Sequence, residues 1–200
     1  MGLTPVPPEQ VATVVTTLEM RAKPPLRPAP PSPLRLARWR KPEPDKYRAL
    51  FRRVGEPWLW FSRLAMDEAR LTGIIHHPDV EIFAAEDRAG VEVGFLELDF
   101  RRAGEAELSY VGFVPELAEQ GNGRWLMAHA LQLAWRPGVE RVWVHTCTLD
   151  HPRALGFYRA QGFMAVSRTL ETFPDPRALG LLPETAAPQI PLLASRRGVA

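Results

Sequence analysis

The residues of this 200-residue chain best suited to chemistry lie between Glu105 and Phe163. From Val114 to Leu126 the chain reads as the end of one apolar run, a loop holding Gly121 and Gly123, and the start of a second run. The first amides of a helix have no internal acceptor, and the helix dipole places partial positive charge there. Glycines at these positions let a phosphate approach the backbone with no Cβ in the way. The amides of residues 119–124 are therefore expected to cradle a pyrophosphate. Glu105 and Glu107 stand two apart, which puts both carboxylates on one face of a strand. Either could accept a proton there, or both could be solvated edge residues; a bulge would reverse their facings. Cys147 stands near His145 and His151, the ingredients of an activated thiol, but such a grouping arises readily in a strand-end loop. His76, His77 and His151 show no zinc-type spacing, so no metal is expected.

These residues need elements to position them. Val11–Met20 is rich in β-branched residues and reads as a strand. Residues 24–33 hold six prolines in ten positions, which makes an extended connector. Leu34–Arg40 can form a second short strand. Asp45 is placed to cap a helix from Lys46, with Tyr47, Leu50, Phe51 and Val54 at helical spacing and Gly55 at its end. A short helix is expected to run to about Leu71. Residues 80–85, 91–100 and 105–114 read as three antiparallel strands, the first pair joined by the turn Asp87-Arg88-Ala89-Gly90. Residues 124–135 read as a helix stopped by Pro137-Gly138. A strand at Val142–Thr146, a helix at Pro152–Gln161 and a strand at 163–173 follow. A meander feeding a βαβ unit is a mixed α/β sheet. The expected division is an N-terminal strand and proline-rich connector over 1–44, one domain over 45–173 and a tail over 174–200.

Composition bounds the partners. A chain of this size buries roughly 70% of its unfolded surface and needs no staple. The single cysteine, Cys147, rules out an intrachain disulfide and suits a reducing cytoplasm. No run of about 18 apolar residues exists, so no membrane span is expected. The N-terminus lacks a signal-peptide pattern, and Val6 stands where a myristoylation signal needs Ser or Thr, so the expected location is cytoplasmic. Net charge is +2, yet residues 21–53 carry eleven Lys or Arg against two acids. Such a segment could meet nucleic acid, coenzyme phosphates or an acidic partner. A solvated basic face accounts for it, and specific DNA recognition is not expected.

With the loop and its flanking elements in view, the sequence resembles the GNAT (GCN5-related) N-acetyltransferase superfamily. Its coenzyme loop reads Q/R-x-x-G-x-G/A, and Gly121 and Gly123 match the two glycine positions, while Ala118 departs from the usual Arg or Gln. A second element, His151 to Phe163, looks like the family's N-x-x-A-x-x-x-Y-x-x-x-G-F helix, with His151 in place of Asn. The resemblance covers roughly residues 80–173 and implies a mixed, mostly antiparallel sheet with a βαβ coenzyme-binding half and helices on both faces. It also implies acetyl-CoA as co-substrate, held by Phe113, Val114, Gln120, Gly121, Asn122, Gly123, Arg124, Trp125, His151 and Phe157.

The activity so implied is direct transfer of the acetyl group to a primary amine. A lysine-like ammonium has a pKa near 10.4 and must lose a proton. The oxyanion needs a donor, and the departing thiolate needs a proton or a hydrogen bond. Tyr158 occupies the position of the family tyrosine that faces the coenzyme sulfur. Glu107, and after it Glu105, are the base candidates, Glu107 lying closer to the expected strand splay. Trp58 and Trp60 could line the acceptor pocket or pack the core. The acceptor is a small-molecule or protein amine, and a homodimer is admitted. The alternative is a GNAT-like domain that binds acyl-CoA or a partner without catalysis.

Overall fold

The computed structural model describes residues 2–25, 28–118 and 120–193. The elements follow the chain as β1 (Gln10–Met20), β2 (Arg35–Trp39), α1 (Pro44–Gly55), α2 (Glu68–Ile75), β3 (Val80–Glu86), β4 (Glu92–Asp99) and β5 (Glu105–Phe113). Then come a single helical turn α3 (Pro115–Ala118), α4 (Asn122–Ala134), β6 (Arg141–Cys147), α5 (Ala154–Ala160) and β7 (Met164–Pro174).

Helix starts differ from the sequence expectation by a few residues: α4 begins at Asn122 rather than 124, and α5 at Ala154 rather than Pro152, with Arg153 as its N-cap. Helix α1 begins at Pro44, whose fixed φ and missing N–H suit a first turn. Glu43 is its N-cap, without a side-chain bond, and Asp45 instead lies in the first turn at the positive end of the dipole. Tyr47, Leu50, Phe51 and Val54 form its buried face, as their spacing requires. Helix α2 starts later and runs on to Ile75, because the Asp67 carboxylate caps it by accepting the Arg70 N–H at 2.7 Å.

All seven strands form one sheet in the order β2-β3-β4-β5-β6-β1-β7. Every pairing is antiparallel except β5 with β6. The first strand is interior, lying between β6 and β7, so residues before 45 belong to the same sheet as the rest. The β5–β6 ladder pairs only Glu105 with Arg141, Ala106 with Val142 and Glu107 with Trp143. Beyond Glu107 the two strands splay.

Strand β5 carries a bulge. Leu108 lies opposite Leu98 and Tyr110 opposite Glu97, so Ser109 is the extra residue. Glu105, Glu107 and Tyr110 therefore share one face, while Ala106, Leu108, Val111 and Phe113 pack toward α4. Simple alternation from Glu107 would have put Val111 and Phe113 on the carboxylate face.

The sheet separates two apolar cores. On the α4 and α5 face, Leu96, Leu98, Leu126, Met127, Val144 and Tyr158 pack together. On the α1 and α2 face, Tyr47, Phe51, Leu71, Ile82 and Phe95 do so. Within this second core Glu97 is fully buried, accepting from Tyr47 Oη at 2.5 Å and Arg63 Nη2 at 2.6 Å. The segment after β7 joins the same core through Leu182, Ala186 and Ala187. A buried Asp175–Arg177 pair organises it, with Arg177 Nη1 donating to the carbonyls of Ala186 at 3.1 Å and Ile190 at 2.8 Å.

Candidate active site

The splay between β5 and β6 opens a cleft of about 770 Å³ that passes from the α4–α5 face to the α1 face. At one end lie Ala118, Gly121, Gly123, Arg124, Phe157 and Tyr158; at the other lie Trp58, Trp60, Phe61, His145, Glu171 and Phe173.

The glycine end follows from the turn before α4. Gly121 is the helix N-cap at φ 81°, a conformation that costs any residue with a Cβ. The first turn of α4 holds no acid and no side-chain cap, so its partial positive charge is not offset there; the Arg124 amide donates to the Gly121 carbonyl at 3.3 Å and the Gln120 amide to that of Leu117 at 3.4 Å. A Cβ on Gly123 would meet only the Phe157 ring, at 3.6 Å.

The residues expected at the coenzyme fall into two sets. Phe113, Gly121, Gly123, Arg124, His151 and Phe157 line the cleft. The others point elsewhere. Trp125 is buried on the core face of α4, with its ring 4.8 Å from that of His129. Val114 sits in the α1-side core. Gln120 donates back to the Glu116 carbonyl at 2.8 Å, and Asn122 donates to that of Leu117 at 3.4 Å. Glu119 lies outside the described residues, as does Arg27 of the basic segment.

Tyr158 lines the cleft from α5, its ring edge-on to Phe157 and Phe163. Burial, and to a lesser degree the Asp150 charge, hold its phenol well above the usual pKa, so it keeps its proton. Glu107 does not line the cleft itself. It contacts His145 instead, with Nδ1 to Oε1 at 3.4 Å, and His145 lines the cleft. The Glu107 hydrogen bond, aided by the charges of Asp150 and Glu171, raises the imidazole above its ordinary pKa. Glu105 is paired with Arg141 at 3.2 Å, away from the cleft.

Cys147 faces the cleft, but burial and the Asp150 charge push its thiol pKa up, away from thiolate. Asp150 is fully engaged, accepting from Thr146 Oγ1 at 2.7 Å, the Cys147 amide at 2.9 Å and Trp60 Nε1 at 3.3 Å. It thereby fixes the turn after β6 against the Trp58–Phe61 loop. His76 meets the Pro42 carbonyl and His77 meets Asp79. Among the described residues no three His, Cys, Asp or Glu converge to hold a metal. The basic segment is dispersed: Arg35 pairs with Glu86, Arg38 with Glu81 and Lys46 with Glu92. Three participants were not singled out for these roles from sequence: His145 as the partner of Glu107, Phe61 and Glu171. A histidine at the end of a predicted strand was the available signal for the first.

A mostly antiparallel sheet splayed between its two parallel strands, with a glycine-capped helix at the gap, is consistent with the GNAT acetyltransferase fold. Residues 31–163 match the Acetyltransferase (GNAT) family, and the chain belongs to that family. Acetyl-CoA-dependent N-acetyl transfer is the family's general activity. No curated protein matches the chain. Among solved structures it is similar to a functionally unknown conserved protein from Staphylococcus epidermidis, at 14% identity and TM-score 0.54, covering 83% of this chain and 63% of that one. A tandem GNAT protein from the clavulanic acid biosynthesis pathway aligns at 19% identity and TM-score 0.54, covering 82% of this chain and 53% of its own. An aminoglycoside acetyltransferase from an uncultured soil metagenomic sample aligns at 21% identity and TM-score 0.51, over 64% of this chain and 86% of its own. The chain thus spans 63% and 53% of the first two proteins' lengths. At these identities the likeness concerns the fold alone. No helix among the described residues is long and apolar enough to cross a membrane.

Proposed function

We propose that the protein transfers the acetyl group of acetyl-CoA directly to a primary amine. The observation that carries this reading is the continuity of the cleft, which joins the amides of α4 to a carboxylate–imidazole pair and a protonated phenol.

In this reading the pyrophosphate lies at the Gly121–Arg124 turn and the thioester lies in the splay. His145 takes the proton that the acceptor ammonium must lose, and Glu107 orients the imidazole and stabilises its charged form. The amine lone pair attacks the thioester carbon to give a tetrahedral oxyanion. The C–S bond then breaks, Tyr158 gives its proton to the leaving sulfur, and the excess proton still on the attached nitrogen returns to the phenolate. The products are an amide and free CoA, with one proton passed to solvent. No enzyme nucleophile is needed, which agrees with the raised thiol pKa of Cys147. Positioning supplies much of the rate, because bringing two reactants together converts a bimolecular step into an effectively unimolecular one.

The extension of the cleft past the splay to the exposed His145 and Glu171 supports catalysis over binding alone, since a bare coenzyme binder needs no room beyond the coenzyme. The test is release of free thiol from acetyl-CoA in the presence of a panel of amines, beside calorimetric titration of acetyl-CoA alone. Thiol release that depends on an amine is the expected result. Failure of acetyl-CoA to bind would overturn the reading.

A further inference from the structure

The α1-side end of the cleft has a composition of its own. Three aromatic rings face it without filling it: Trp58, Trp60 and Phe61 are each only partly buried. Each is held by a neighbour. Phe61 stacks on Phe173 at 4.6 Å, Trp58 meets His151 edge-on at 5.3 Å, and Trp60 is hydrogen-bonded to Asp150. The turn bearing Trp58 is tied to the C-terminal segment by Gln189 Nε2, which donates to the Pro57 carbonyl at 3.0 Å. A rigid, half-wet aromatic wall is a costly way to line a surface unless an apolar body covers it.

The charges at this end are as particular. Glu107 is taken by His145 and Asp150 by Thr146, Cys147 and Trp60. That leaves Glu171, which lies opposite Thr13 on β7 and lines the same end. Its carboxylate pairs with no cation and accepts no hydrogen bond among the described residues, yet it lies close enough to add its field to that of Glu107 on His145. A guest with one positive charge finds one uncommitted carboxylate. A polycation would bring charges with no counterpart and would lose hydration for each. Volume sets a further limit. The cleft of about 770 Å³ must also admit the thioester arm, which leaves room for a compact guest.

We infer that the acceptor is a small primary amine bearing a single positive charge on an aromatic or similarly apolar body. The body lies against Trp58, Phe61 and Phe173, and Glu171 draws the ammonium toward His145. This rests on the acetyl-transfer reading above and narrows it to a substrate class.

The experiment measures thiol release with phenethylamine, ethylamine, spermidine, sisomicin and a lysine-containing peptide, beside calorimetric binding of acetyl-CoA. Phenethylamine is expected to give the highest kcat/KM. Glu171 is exposed, so Glu171→Gln should fold. It should raise the KM for phenethylamine about two- to fivefold, the loss of one partly solvated charge attraction, and leave acetyl-CoA affinity unchanged. Trp58→Ala should reduce the preference for phenethylamine over ethylamine about tenfold. Faster turnover of spermidine, sisomicin or the peptide overturns the class, as does an unmoved KM in Glu171→Gln, and both leave acetyl transfer standing. Bound acetyl-CoA with no thiol release from any of these amines also overturns the class. Absence of acetyl-CoA binding would instead strike the underlying reading.

Discussion

Gly123 offers a substitution whose effects on folding and on binding separate cleanly. It lies in the first turn of α4 with ordinary helical backbone, unlike Gly121 at φ 81°. A Cβ there meets nothing nearer than Phe157 Cζ at 3.6 Å, an ordinary contact. Alanine should therefore fit without strain, and replacing glycine in a helix contributes up to about 0.5–1 kcal/mol. In a chain of this size 1 kcal/mol corresponds to roughly 2–4 °C, so Gly123→Ala should melt at or slightly above the wild-type temperature. Valine gives back part of that gain through its branched Cβ, so Gly123→Val should melt near wild type. Binding should move the other way. Each amide-to-phosphate hydrogen bond is charge-assisted and contributes about 1.5–3 kcal/mol, so displacing one weakens acetyl-CoA binding about 10- to 100-fold. The valine methyls project toward the cleft and should cause at least that loss, with alanine intermediate. Calorimetric titration of acetyl-CoA, paired with thermal melts of the ligand-free variants, reads both quantities. Wild-type affinity in Gly123→Val at an unchanged melting temperature would refute the phosphate placement.

Three further outcomes follow from other parts of the molecule. Tyr158→Phe keeps the packed ring and removes the hydroxyl, so kcat should fall, by up to the 10²–10⁴ typical of general acid catalysis, with melting temperature and acetyl-CoA affinity nearly constant; an unchanged kcat would leave Tyr158 a packing residue. His145 acts as a base only when neutral, and its pKa is raised above 6.5 chiefly by Glu107, so the rate should rise with pH through that higher value. In Glu107→Gln the acid limb of kcat/KM should shift to lower pH with a lower plateau, and a limb that stays in place would remove the pair from proton transfer. Arg63→Ala strands the fully buried Glu97 charge and should cost about 3–5 kcal/mol by chemical denaturation, whereas a loss under 1 kcal/mol would mean that water reaches the carboxylate.

Local chemistry carried most of the fold into the sequence. The β-branched run at Val11–Met20, the Asp87–Gly90 turn and the 3.6-residue spacing of Tyr47, Leu50, Phe51 and Val54 act over a few residues, and the strands and helix form where they stand. The loop at Gly121 and Gly123 was legible for the same reason, since two glycines after an apolar run end a strand and let the next helix start. What escaped is non-local. That β1 is interior depends on partners in β6 and β7, which no local pattern encodes. The contact of Glu107 with His145 depends on strand register across the splay. The bulge at Ser109 has no compositional mark, yet it decides which side chains of β5 face the carboxylates. Trp125 illustrates a different gap: it follows the glycine loop directly, but the helix turns its ring into the core. The tail after Phe173 shows no periodicity because its order comes from one buried ion pair and a few apolar anchors.

The interior position of β1 also dictates an order of events at the ribosome. Val15 pairs with Cys147 on one side and Thr169 on the other, so this strand, made before both of its partners, waits for β6 and β7 before it is covered. During that interval VATVVTTLEM is an unpaired β-branched segment of low charge, the kind that associates with other extended chains. Contacts so distant in sequence make the closing step slow. Nascent chains released before β7 emerges would present this strand and the vacant slot beside β6 together, and a strand from one chain could fill the gap in another.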